Sequence, residues 1–526
     1  MYIVNSLFRF GDITEKFKVR FFPSGAQTDV DYGTLISDAA RSAGVTIRLP
    51  CNGNGRCGRC NVLLSGKEQC RVLACQARVT CNTDILLPSD GGDIIASDEH
   101  RKIKTDDFTP VVMSKGMDSH GLAIDIGTTT VAVSIMDLRD GAEIFKSAGY
   151  NGQGVLGDDV LSRIEYAHDG GTEELRELVI RTVNDLIAPF TEDKENIDAV
   201  YVSGNTAMLH LFLGIDPSPM RRPPYEPVVK EKEITGEESK LSVFEDARVI
   251  CMPSPAAYVG GDVTSDIINA EMDLNDELSL LIDVGTNGEV ALGNKDIMMT
   301  CSSSAGPSFE GGKMTSGMMA KPGAIDSFRI TADGKFDYTV ISGSDPIGIC
   351  GSGLIDVLAQ LFLNGFIDRK GKFTDKAKTE TRDGIKRLTI ADGVYISEDD
   401  IHNALLTKAA IYSAMTSLVK GLGVSMDDVA RVYIAGGFGN FINMESAIAI
   451  GMLPDVPRER FVYLGNASLA GAKQALLSSS ARSRIEEVFK RTTYIDLGSD
   501  PTFSDEYMSA LFIPHTDSSR FPTYMK

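Results

Sequence analysis

An internal repeat constrains the fold of this chain more than any other feature. Residues 122–133 read LAIDIGTTTVAV, and residues 280–292 read LLIDVGTNGEVAL. Each copy predicts an apolar strand, an Asp-x-Gly-Thr turn and a second strand. The turn aspartates, Asp125 and Asp283, are one domain length apart, so we expect two lobes built on the same plan.

The chain from residue 120 onward alternates strand and helix patterns, which is typical of an α/β region. Predicted helices cover 174–190 and 402–421, and predicted strands cover 199–203 and 432–435. The N-terminal part predicts a short helix packed on a small mixed sheet. Its helix is expected at 34–43, and its strands at 16–23, 61–65 and 84–88.

These patterns divide the chain into four segments. Residues 1–97 form an N-terminal domain, and residues 98–118 form a polar linker that is dense in charge and lacks periodicity. Residues 119–205 form the first lobe, and residues 206–526 form the second lobe. Hydrophobic residues make up 43% of the chain, which is enough for a buried core and excludes wholesale disorder.

The charge balance excludes some partners. Lys and Arg number 52 against 73 Asp and Glu, which gives a net charge of −21. A chain this acidic repels phosphate backbones and anionic lipids, so we expect no nucleic acid and no membrane as a partner. No stretch approaches the roughly 20 apolar residues that a membrane span needs. Arg9 and Asp12 interrupt any signal-peptide core, so a cytoplasmic location is expected.

The cysteines are clustered, which indicates metal or redox chemistry rather than a disulfide framework. Six of the nine lie between residues 51 and 81. Cys51, Cys57 and Cys60 enclose a glycine-rich stretch without acidic residues, which lets backbone amides face thiolate and sulfide. Cys70, Cys75 and Cys81 follow, and each is available as a fourth ligand. A zinc site or plain thiols is the alternative.

Each Asp-x-Gly-Thr turn places a carboxylate at a strand end beside free amides and hydroxyls. The amides and hydroxyls can hold phosphate oxygens, and the aspartate can hold hydrated Mg²⁺. The candidate phosphate-binding residues are Gly127, Thr128, Thr129, Gly285 and Thr286. A third motif, 432–440, ends a strand in Gly436 and Gly437, which leave room for a flat adenosine. Ordinary tight turns are the alternative interpretation.

Other sequence features narrow the choice of cofactor. The glycine-rich stretches 304–312 and 348–353 are interpreted as nucleotide-side loops, and the second leads into a predicted helix at 354–362 whose N-terminus can face phosphate. The chain contains no GxxxxGK[ST] loop, and we do not expect a Rossmann dinucleotide-binding fold or a nicotinamide or flavin reductase. The six histidines show no metal spacing.

These motifs resemble those of two known groups of proteins. The cysteine spacing, with Cys75 in the sequence LACQ, is similar to that of plant- and adrenodoxin-type [2Fe–2S] ferredoxins, with one more residue between the first two ligands. This resemblance implies a β-grasp domain whose cluster ligands are Cys51, Cys57, Cys60 and Cys75. The repeat and the third motif resemble the phosphate 1, phosphate 2 and adenosine motifs of the acetate and sugar kinase, Hsp70 and actin (ASKHA) superfamily. This second resemblance implies two ribonuclease-H-like lobes with ATP between them.

Over essentially its full length, the chain resembles the reductive activators of corrinoid proteins. The resemblance rests on GRCGRC, LACQ, DIGTTT, DVGTNGE, AGPSFEGG, GICGSG and AGGFGN. It implies an ATP-hydrolysing enzyme that passes one electron through a [2Fe–2S] cluster and returns Co(II) cobalamin to Co(I) for methyl transfer. Asp125 and Asp283 would then position Mg²⁺ and water. The implied partners are a corrinoid protein, either a methyltransferase component or a corrinoid iron–sulfur protein, and a low-potential donor such as a ferredoxin. A homodimer is also implied.

Three other functions stay open at the level of sequence. The first is an ATP-driven electron injector for another metalloenzyme, like the activators of 2-hydroxyacyl-CoA dehydratases, which use a [4Fe–4S] cluster. The second is a small-molecule kinase with a regulatory redox domain. The third is an Hsp70-like binding module. The sequence does not select the corrinoid client, the electron donor, the order of the ATP and electron steps, the partner-contact residues or the oligomeric state.

Overall fold

The computed structural model describes residues 16–22, 26–43, 45, 47, 61–65, 70–86, 107–112, 119–157, 159–190, 196–285, 287–312, 314–343, 345–382, 384–436 and 442–524. The chain divides into two compact units, Met1–Ser89 and Asp90–Lys526. Among the described residues, no helix is long and apolar enough to cross a membrane.

The described residues of the first unit form a small mixed sheet with one helix. Its elements are β1 (Lys16–Phe22), β2 (Ala26–Asp31), α1 (Ile36–Ser42), β3 (Asn61–Ser65), β4 (Cys70–Leu73) and β5 (Thr83–Leu86). The strand order is β2-β1-β5-β3-β4, and only the β1–β5 pair is parallel. Val19, Phe21 and Ile85 of the sheet pack with Ile36 and Ala39 of α1 in one buried core. This arrangement matches the predicted helix on a mixed sheet.

The second unit begins with a six-stranded sheet in the order β10-β11-β9-β6-β7-β8. Its strands are β6 (His120–Ile126), β7 (Thr130–Asp137), β8 (Glu143–Tyr150), β9 (Ile197–Gly204), β10 (Lys232–Thr235) and β11 (Arg248–Cys251). The accompanying helices are α2 (Val160–Tyr166), α3 (Thr172–Ile187), α4 (Thr206–Leu213), α5 (Gly236–Ser239) and α6 (Gly261–Ala270). The predicted end of the first lobe at residue 205 cuts this sheet, because β10 and β11 follow it and β11 pairs with β9.

A second six-stranded sheet has the order β22-β21-β12-β13-β14-β23. Its strands are β12 (Ser279–Val284), β13 (Gly288–Gly293), β14 (Met298–Ser303), β21 (Arg431–Ala435), β22 (Phe461–Gly465) and β23 (Thr492–Tyr494). Two three-stranded sheets stand beside it, formed by β15 (Ala324–Ile330), β16 (Phe336–Val340), β17 (Gly348–Ile349), β18 (Glu380–Arg382), β19 (Ile385–Ala391) and β20 (Val394–Ser397). The helices of this half are α7 (Gly351–Leu363), α8 (Glu398–Gly421), α9 (Met444–Ala449), α10 (Ala467–Leu477), α11 (Ser479–Arg491) and α12 (Pro501–Ala510).

The two six-stranded sheets share one plan, as the repeat predicts. In the first, β6, β7 and β8 form an antiparallel meander, and β9 and then β11 add to β6 in parallel. In the second, β12, β13 and β14 form the meander, and β21 and then β22 add to β12 in parallel. Asp125 and Asp283 therefore occupy corresponding places near the carboxyl ends of β6 and β12.

Two helices connect the halves by crossing between the sheets. α6 follows the first sheet and packs on β9 of that sheet and on β12 and β13 of the second, while α10 follows the second sheet and packs on β6 and β9 of the first. The two helices pack directly on each other at Gly471, where a Cβ would lie 2.6 Å from Cα of Ser265. One apolar core, containing Ala123, Tyr201, Leu281 and other buried side chains, therefore spans both sheets.

The segment before the first sheet is fastened to the start of α11. The Asp107 carboxylate accepts hydrogen bonds from the hydroxyl groups of Ser478, Ser479 and Ser480. The Thr109 amide donates to the Leu477 carbonyl over 2.9 Å. Residues 107–112 of the predicted linker are thus ordered on the body of the second unit.

Candidate functional site

The first Asp-x-Gly-Thr turn is a tight connection between β6 and β7. The Gly127 amide donates to the Thr130 carbonyl over 3.0 Å. A Cβ on Gly127 would lie 2.6 Å from that carbonyl oxygen, so the turn requires glycine. Thr128 at its tip is buried, and Thr129 follows it. The structure therefore brings Asp125, Gly127, Thr128 and Thr129 together as predicted.

Asn151, which sequence reasoning missed, supports this turn. Its side-chain Nδ2 donates to the Gly127 carbonyl, and its backbone amide donates to the Thr129 carbonyl, each over 2.9 Å. The side chain is 4% exposed. Asn151 thus holds both ends of the segment whose amides are the predicted phosphate contacts.

The second turn and the third motif meet at Asp283. The Gly285 amide donates to the Asn287 carbonyl over 3.0 Å and closes the turn between β12 and β13. Gly436 has φ = +89°, and a Cβ there would lie 2.4 Å from Asp283 Oδ1. Gly436 is therefore required by its backbone conformation and by its contact with the aspartate. Thr286 and Gly437 lie outside the described residues.

The first lobe contains the counterpart of this glycine. Gly204 is the last residue of β9, as Gly436 directly follows β21, and its φ is +151°. A Cβ on Gly204 would lie 2.6 Å from the Ile126 carbonyl, and one on Gly436 would lie 2.7 Å from the Val284 carbonyl. The repeat seen in sequence therefore extends to a third strand and its terminal glycine in each lobe.

Three further carboxyl groups, two of them buried and one partly buried, surround Asp283. Asp262 and Asp266 come from α6, and Glu289 comes from β13, where it pairs with Asp283 across the ladder. Burial and the charge of Asp283 raise the pKa of Asp262 to about 7. Burial and the charge of Asp125 raise the pKa of Asp283 to about 6. Burial and neighbouring carboxylates also raise the pKa values of Asp266 and Glu289.

The chain leaves several of these oxygens without a hydrogen-bond donor. The Asp266 carboxyl group lies close to that of Asp283, and burial and the charge of Asp283 together raise the pKa of Asp266. Among the described residues, no group donates a hydrogen bond to either Asp266 oxygen or to Asp283 Oδ1, although all three atoms are buried. Hard carboxylate oxygens of this kind fit a divalent cation such as Mg²⁺ with its waters. The residues present therefore suit a magnesium–nucleotide ligand.

Asp125 has a different environment, because its carboxylate is already held. Asn466 Nδ2 donates to Oδ2 over 2.9 Å, and Ser468 Oγ donates to Oδ1 over 2.7 Å. Burial raises the pKa of Asp125, and these two hydrogen bonds oppose that rise. Sequence reasoning missed both donors. The local signal, Asn466 directly after β22, predicts the start of a helix but not the tertiary contact with Asp125.

The described part of the ferredoxin-like unit favours Cys75 as a cluster ligand over Cys81. Cys75 is 4% exposed in the turn after β4, whereas Cys81 is exposed. The Ser37 amide of α1 donates to the Ala74 carbonyl over 3.0 Å and fixes this turn. Gln76 Nε2 donates to Cys75 Sγ over 3.7 Å. A buried thiol next to an amide donor suits a thiolate ligand of an iron–sulfur cluster. Cys51, Cys57 and Cys60 lie outside the described residues.

One glycine-rich stretch differs from its prediction. α7 begins at Gly351 rather than at residue 354, so most of the predicted loop 348–353 belongs to the helix and the strand before it. A Cβ on Gly353 would lie 2.2 Å from the Ile325 carbonyl. Close packing of α7 on β15 is the physical reason for this glycine.

Comparison with known proteins gives three family matches that together span most of the chain. A 2Fe-2S iron–sulfur cluster binding domain matches residues 20–80, the RACo middle region matches 120–275, and the C-terminal domain of RACo, the ASKHA domain, matches 277–525. A solved structure titled reductive activator for corrinoid, iron-sulfur protein aligns with a TM-score of 0.73 at 33% identity. The alignment covers 96% of this chain and 100% of that one.

The chain belongs to the reductive activators of corrinoid proteins. The corrinoid activation enzyme RamQ of Eubacterium limosum is 29% identical, over 92% of this chain and 96% of its own length. The [Co(II) methylated amine-specific corrinoid protein] reductase of Methanosarcina barkeri is 26% identical, over 74% of this chain and 76% of its own. The family confirms the predicted ferredoxin-like and ASKHA domains and the predicted cofactors, a [2Fe–2S] cluster and ATP with Mg²⁺.

For the activator, we predict that Gly436→Ala weakens ATP binding at least tenfold. The new methyl group would lie 2.4 Å from Asp283 Oδ1 and displace the carboxylate. Calorimetric titration with MgATP measures the effect. Gly423→Ala is the matched control, because Gly423 has φ = +74° and a Cβ there meets nothing within 4 Å. The control shares the backbone strain of roughly 1 kcal/mol and should keep wild-type affinity. If Gly436→Ala and Gly423→Ala bound MgATP with equal affinity, the contact between residue 436 and Asp283 would not matter for ATP binding.

We also predict that Asp266→Asn stabilises the ligand-free activator at alkaline pH. The raised pKa values of Asp262 and Asp283 mean that folding favours their protonated forms, so the free energy of unfolding falls as pH rises from about 4 through 7. An amide at 266 removes one carboxyl group and can donate to Asp283. We expect a gain of roughly 1–3 kcal/mol at pH 8 and less at pH 5.

Thermal unfolding at the two pH values, without nucleotide or Mg²⁺, measures this gain. Asp427→Asn, at an exposed position, is the control and should change the free energy of unfolding by no more than about 0.5 kcal/mol. A gain that is the same at pH 5 and pH 8 would show that carboxylate repulsion is not its source.

Proposed function

We propose that this chain uses ATP to drive the one-electron reduction of a corrinoid protein, returning inactive Co(II) cobalamin to Co(I). The observation that carries the proposal is the joint full-length match: a [2Fe–2S] domain, the middle region and the ASKHA domain occur in the order found in a reductive activator 33% identical to this chain. A [2Fe–2S] match also argues against the activators that share a [4Fe–4S] cluster between subunits.

Electron transfer alone does not complete such a reduction. A bound [2Fe–2S] cluster supplies one-electron chemistry, with a potential of roughly −400 mV in plant-type ferredoxins. Reduction of Co(II) to Co(I) is uphill from that potential, so a second source of free energy is needed. Nucleotide bound between the lobes can supply this free energy only on one condition. Its affinity must differ between two conformations of the protein, or of the protein bound to its corrinoid partner. The acidic groups that α6 brings to Asp283 support this proposal, because a bound cation would offset their repulsion only while they lie together.

We assign roles to residues on the same basis. Asp125 and Asp283 position Mg²⁺ and the attacking water. The turns that follow them hold the phosphates, through Gly127, Thr128, Thr129, Gly285 and Thr286. Gly436 and Gly437 flank the adenosine, and Cys51, Cys57, Cys60 and Cys75 ligate the cluster. The geometry of Gly436 against Asp283 and the burial of Cys75 support these assignments.

The partner is a corrinoid protein, in keeping with the family. We further propose a low-potential donor such as a ferredoxin, a homodimeric state and a cytoplasmic location. The net charge of −21 supports a protein partner over nucleic acid or an anionic membrane.

An anaerobic reduction assay tests the function. The protein, a low-potential reductant and a panel of Co(II) corrinoid proteins, both methyltransferase components and corrinoid iron–sulfur proteins, are mixed with and without MgATP. We expect Co(I) absorption bands with one client and only when ATP is present. No Co(I) with any client, despite an intact cluster spectrum, would contradict the proposal. Phosphorylation of a small molecule without a partner protein would instead indicate a redox-gated kinase.

Two substitutions should separate the electron and nucleotide functions. Cys75→Ala should abolish Co(I) formation and the cluster spectrum while sparing ATP binding, and Cys57→Ala should do the same. Asp283→Ala should abolish ATP-dependent reduction while leaving the cluster spectrum intact. Visible spectra, iron content and nucleotide titrations measure both.

The chain offers controls for each substitution. Cys81→Ala changes an exposed cysteine of the same unit and should keep iron and activity. Asp276→Ala changes an exposed aspartate close to β12 and should keep ATP-dependent reduction. Native reduction rates in both the Cys75 and Asp283 variants would refute this division of roles.

A further inference from the structure

The two crossing helices are related by the same repeat as the sheets. α6 follows β11 and α10 follows β22, each after the outer parallel strand of its own meander. Ser265 and Gly471, which meet where the helices cross, are each the fifth residue of their helix. Each helix thus brings its first turn from one half of the molecule to the phosphate-site aspartate of the other half.

The two helices bring opposite chemistry to those aspartates. The second residue of α6 is Asp262, and the second residue of α10 is Ser468. Asp283 therefore receives acidic neighbours and keeps Oδ1 without a donor, as a cation site requires. Asp125 instead receives two hydrogen-bond donors from α10 and its cap. The repeat is symmetric in backbone and asymmetric in charge.

Asn466 has two roles, which are carried by different atoms of its side chain. Its Oδ1 accepts from the Leu469 amide over 2.7 Å and caps α10, while its Nδ2 donates to Asp125. The cap alone needs only an acceptor, which aspartate or serine supplies as well. The amide group is needed only for the contact with Asp125.

Ser468 extends the contact into the interior. Its hydroxyl oxygen lies 2.9 Å from that of Ser203 on β9, which lies 2.9 Å from that of Ser265 on α6. The Ser265 hydroxyl donates to the Gly261 carbonyl over 2.8 Å. All three serines are 6% exposed or less. A continuous row of buried hydroxyl groups therefore runs from Asp125 to the first turn of α6.

We propose that Asn466 and Ser468 are positioning residues for ATP turnover, which fix the Asp125 carboxylate in one orientation and latch the first-lobe phosphate turn to the helix of the second lobe. The proposal rests on the role assigned above to Asp125. Two donors set the side-chain torsion of the carboxylate and stabilise its charged form, and each of its oxygens keeps a free lone pair for a water of hydrated Mg²⁺. Without these two donors the Asp125 carboxylate is free to rotate. ATP hydrolysis then lacks a carboxylate held in the orientation that it requires.

Steady-state hydrolysis of MgATP by the full chain tests the latch. Asn466→Asp keeps the helix cap but replaces the donor by a second carboxylate, and Ser468→Ala removes the other donor. We expect kcat to fall roughly tenfold or more in each, the size associated with a hydrogen bond to a charged group. KM for ATP should stay within about twofold, because the turn amides and the adenosine site are unchanged.

Ser478→Ala is the matched control. Ser478 lies at the other end of α10, donates to an aspartate (Asp107) and caps α11 through the Ala481 amide. Its loss should lower the melting temperature and leave kcat unchanged. If Asn466→Asp does not fold, Asn466→Ser serves in its place, since serine caps the helix but is too short to reach Asp125.

A double-mutant cycle with Asp125→Asn separates positioning from stability. If Ser468 acts through Asp125, Asp125→Asn combined with Ser468→Ala should be no slower than Asp125→Asn alone. If Asn466→Asp and Ser468→Ala both kept wild-type kcat while Asp125→Asn was slow, Asn466 and Ser468 would not be positioning residues. The role of Asp125 would still stand. Wild-type kcat in Asp125→Asn would overturn both. Absence of ATP hydrolysis by the wild-type chain would overturn the proposed function itself.

Discussion

The close contact of α6 with α10 is the constraint on which the ATPase part of the structure depends. Because Gly471 lacks a side chain, the two helices approach until its Cα faces the backbone of Ser265. This approach brings the first turn of each helix to the strand ends of the opposite sheet, so that residues far apart in sequence meet at Asp125 and Asp283. A larger residue at 471 would separate the helices and both aspartates would lose their neighbours.

The carboxylates around Asp283 lower the stability of the folded, ligand-free chain, and they provide the site for a magnesium-bound nucleotide. Asp266 and Glu289 are buried beside it and Asp262 is partly buried, and burial and the charges of neighbouring carboxylates raise the pKa of all three. A folded chain keeps such a group only where something else compensates, since burial of unpaired charge is unfavourable. Magnesium-bound nucleotide is the compensating ligand that the family and the geometry both indicate. Binding then removes repulsion as well as adding contacts, which gives ATP a large differential affinity for the arrangement that brings these groups together.

Local patterns were sufficient to predict the repeat and its turns, because an apolar strand ending in Asp-x-Gly-Thr is encoded within a few residues. The need for glycine at 436 also followed from the sequence, although its reason, contact with Asp283, is tertiary. Asp266 and Asn466 were not predicted as site residues, since nothing nearby in sequence shows that α6 and α10 exchange sheets. The predicted limit at 205 separates β11 from the sheet that it joins, because β11 pairs with a strand more than forty residues earlier.

The asymmetry between the two halves has a thermodynamic consequence. Both lobes offer an aspartate, a tight turn and a strand-end glycine. Within the described part of the chain, Asp283 Oδ1 and both Asp266 oxygens lack a hydrogen-bond donor, whereas each Asp125 oxygen accepts one hydrogen bond from the protein. A ligand that contacts both lobes therefore gains little free energy at Asp125, whose charge is already stabilised by hydrogen bonds. It gains more around Asp283, where it offsets the repulsion between carboxylates. Its binding energy is concentrated around Asp283 of the ASKHA domain, where the α6 acids of the middle region meet that aspartate. The half that contains the hydrogen-bonded Asp125 can then stay fixed while the half that contains Asp283 moves against it. ATP binding then causes a directed movement of one half and not a uniform tightening of both.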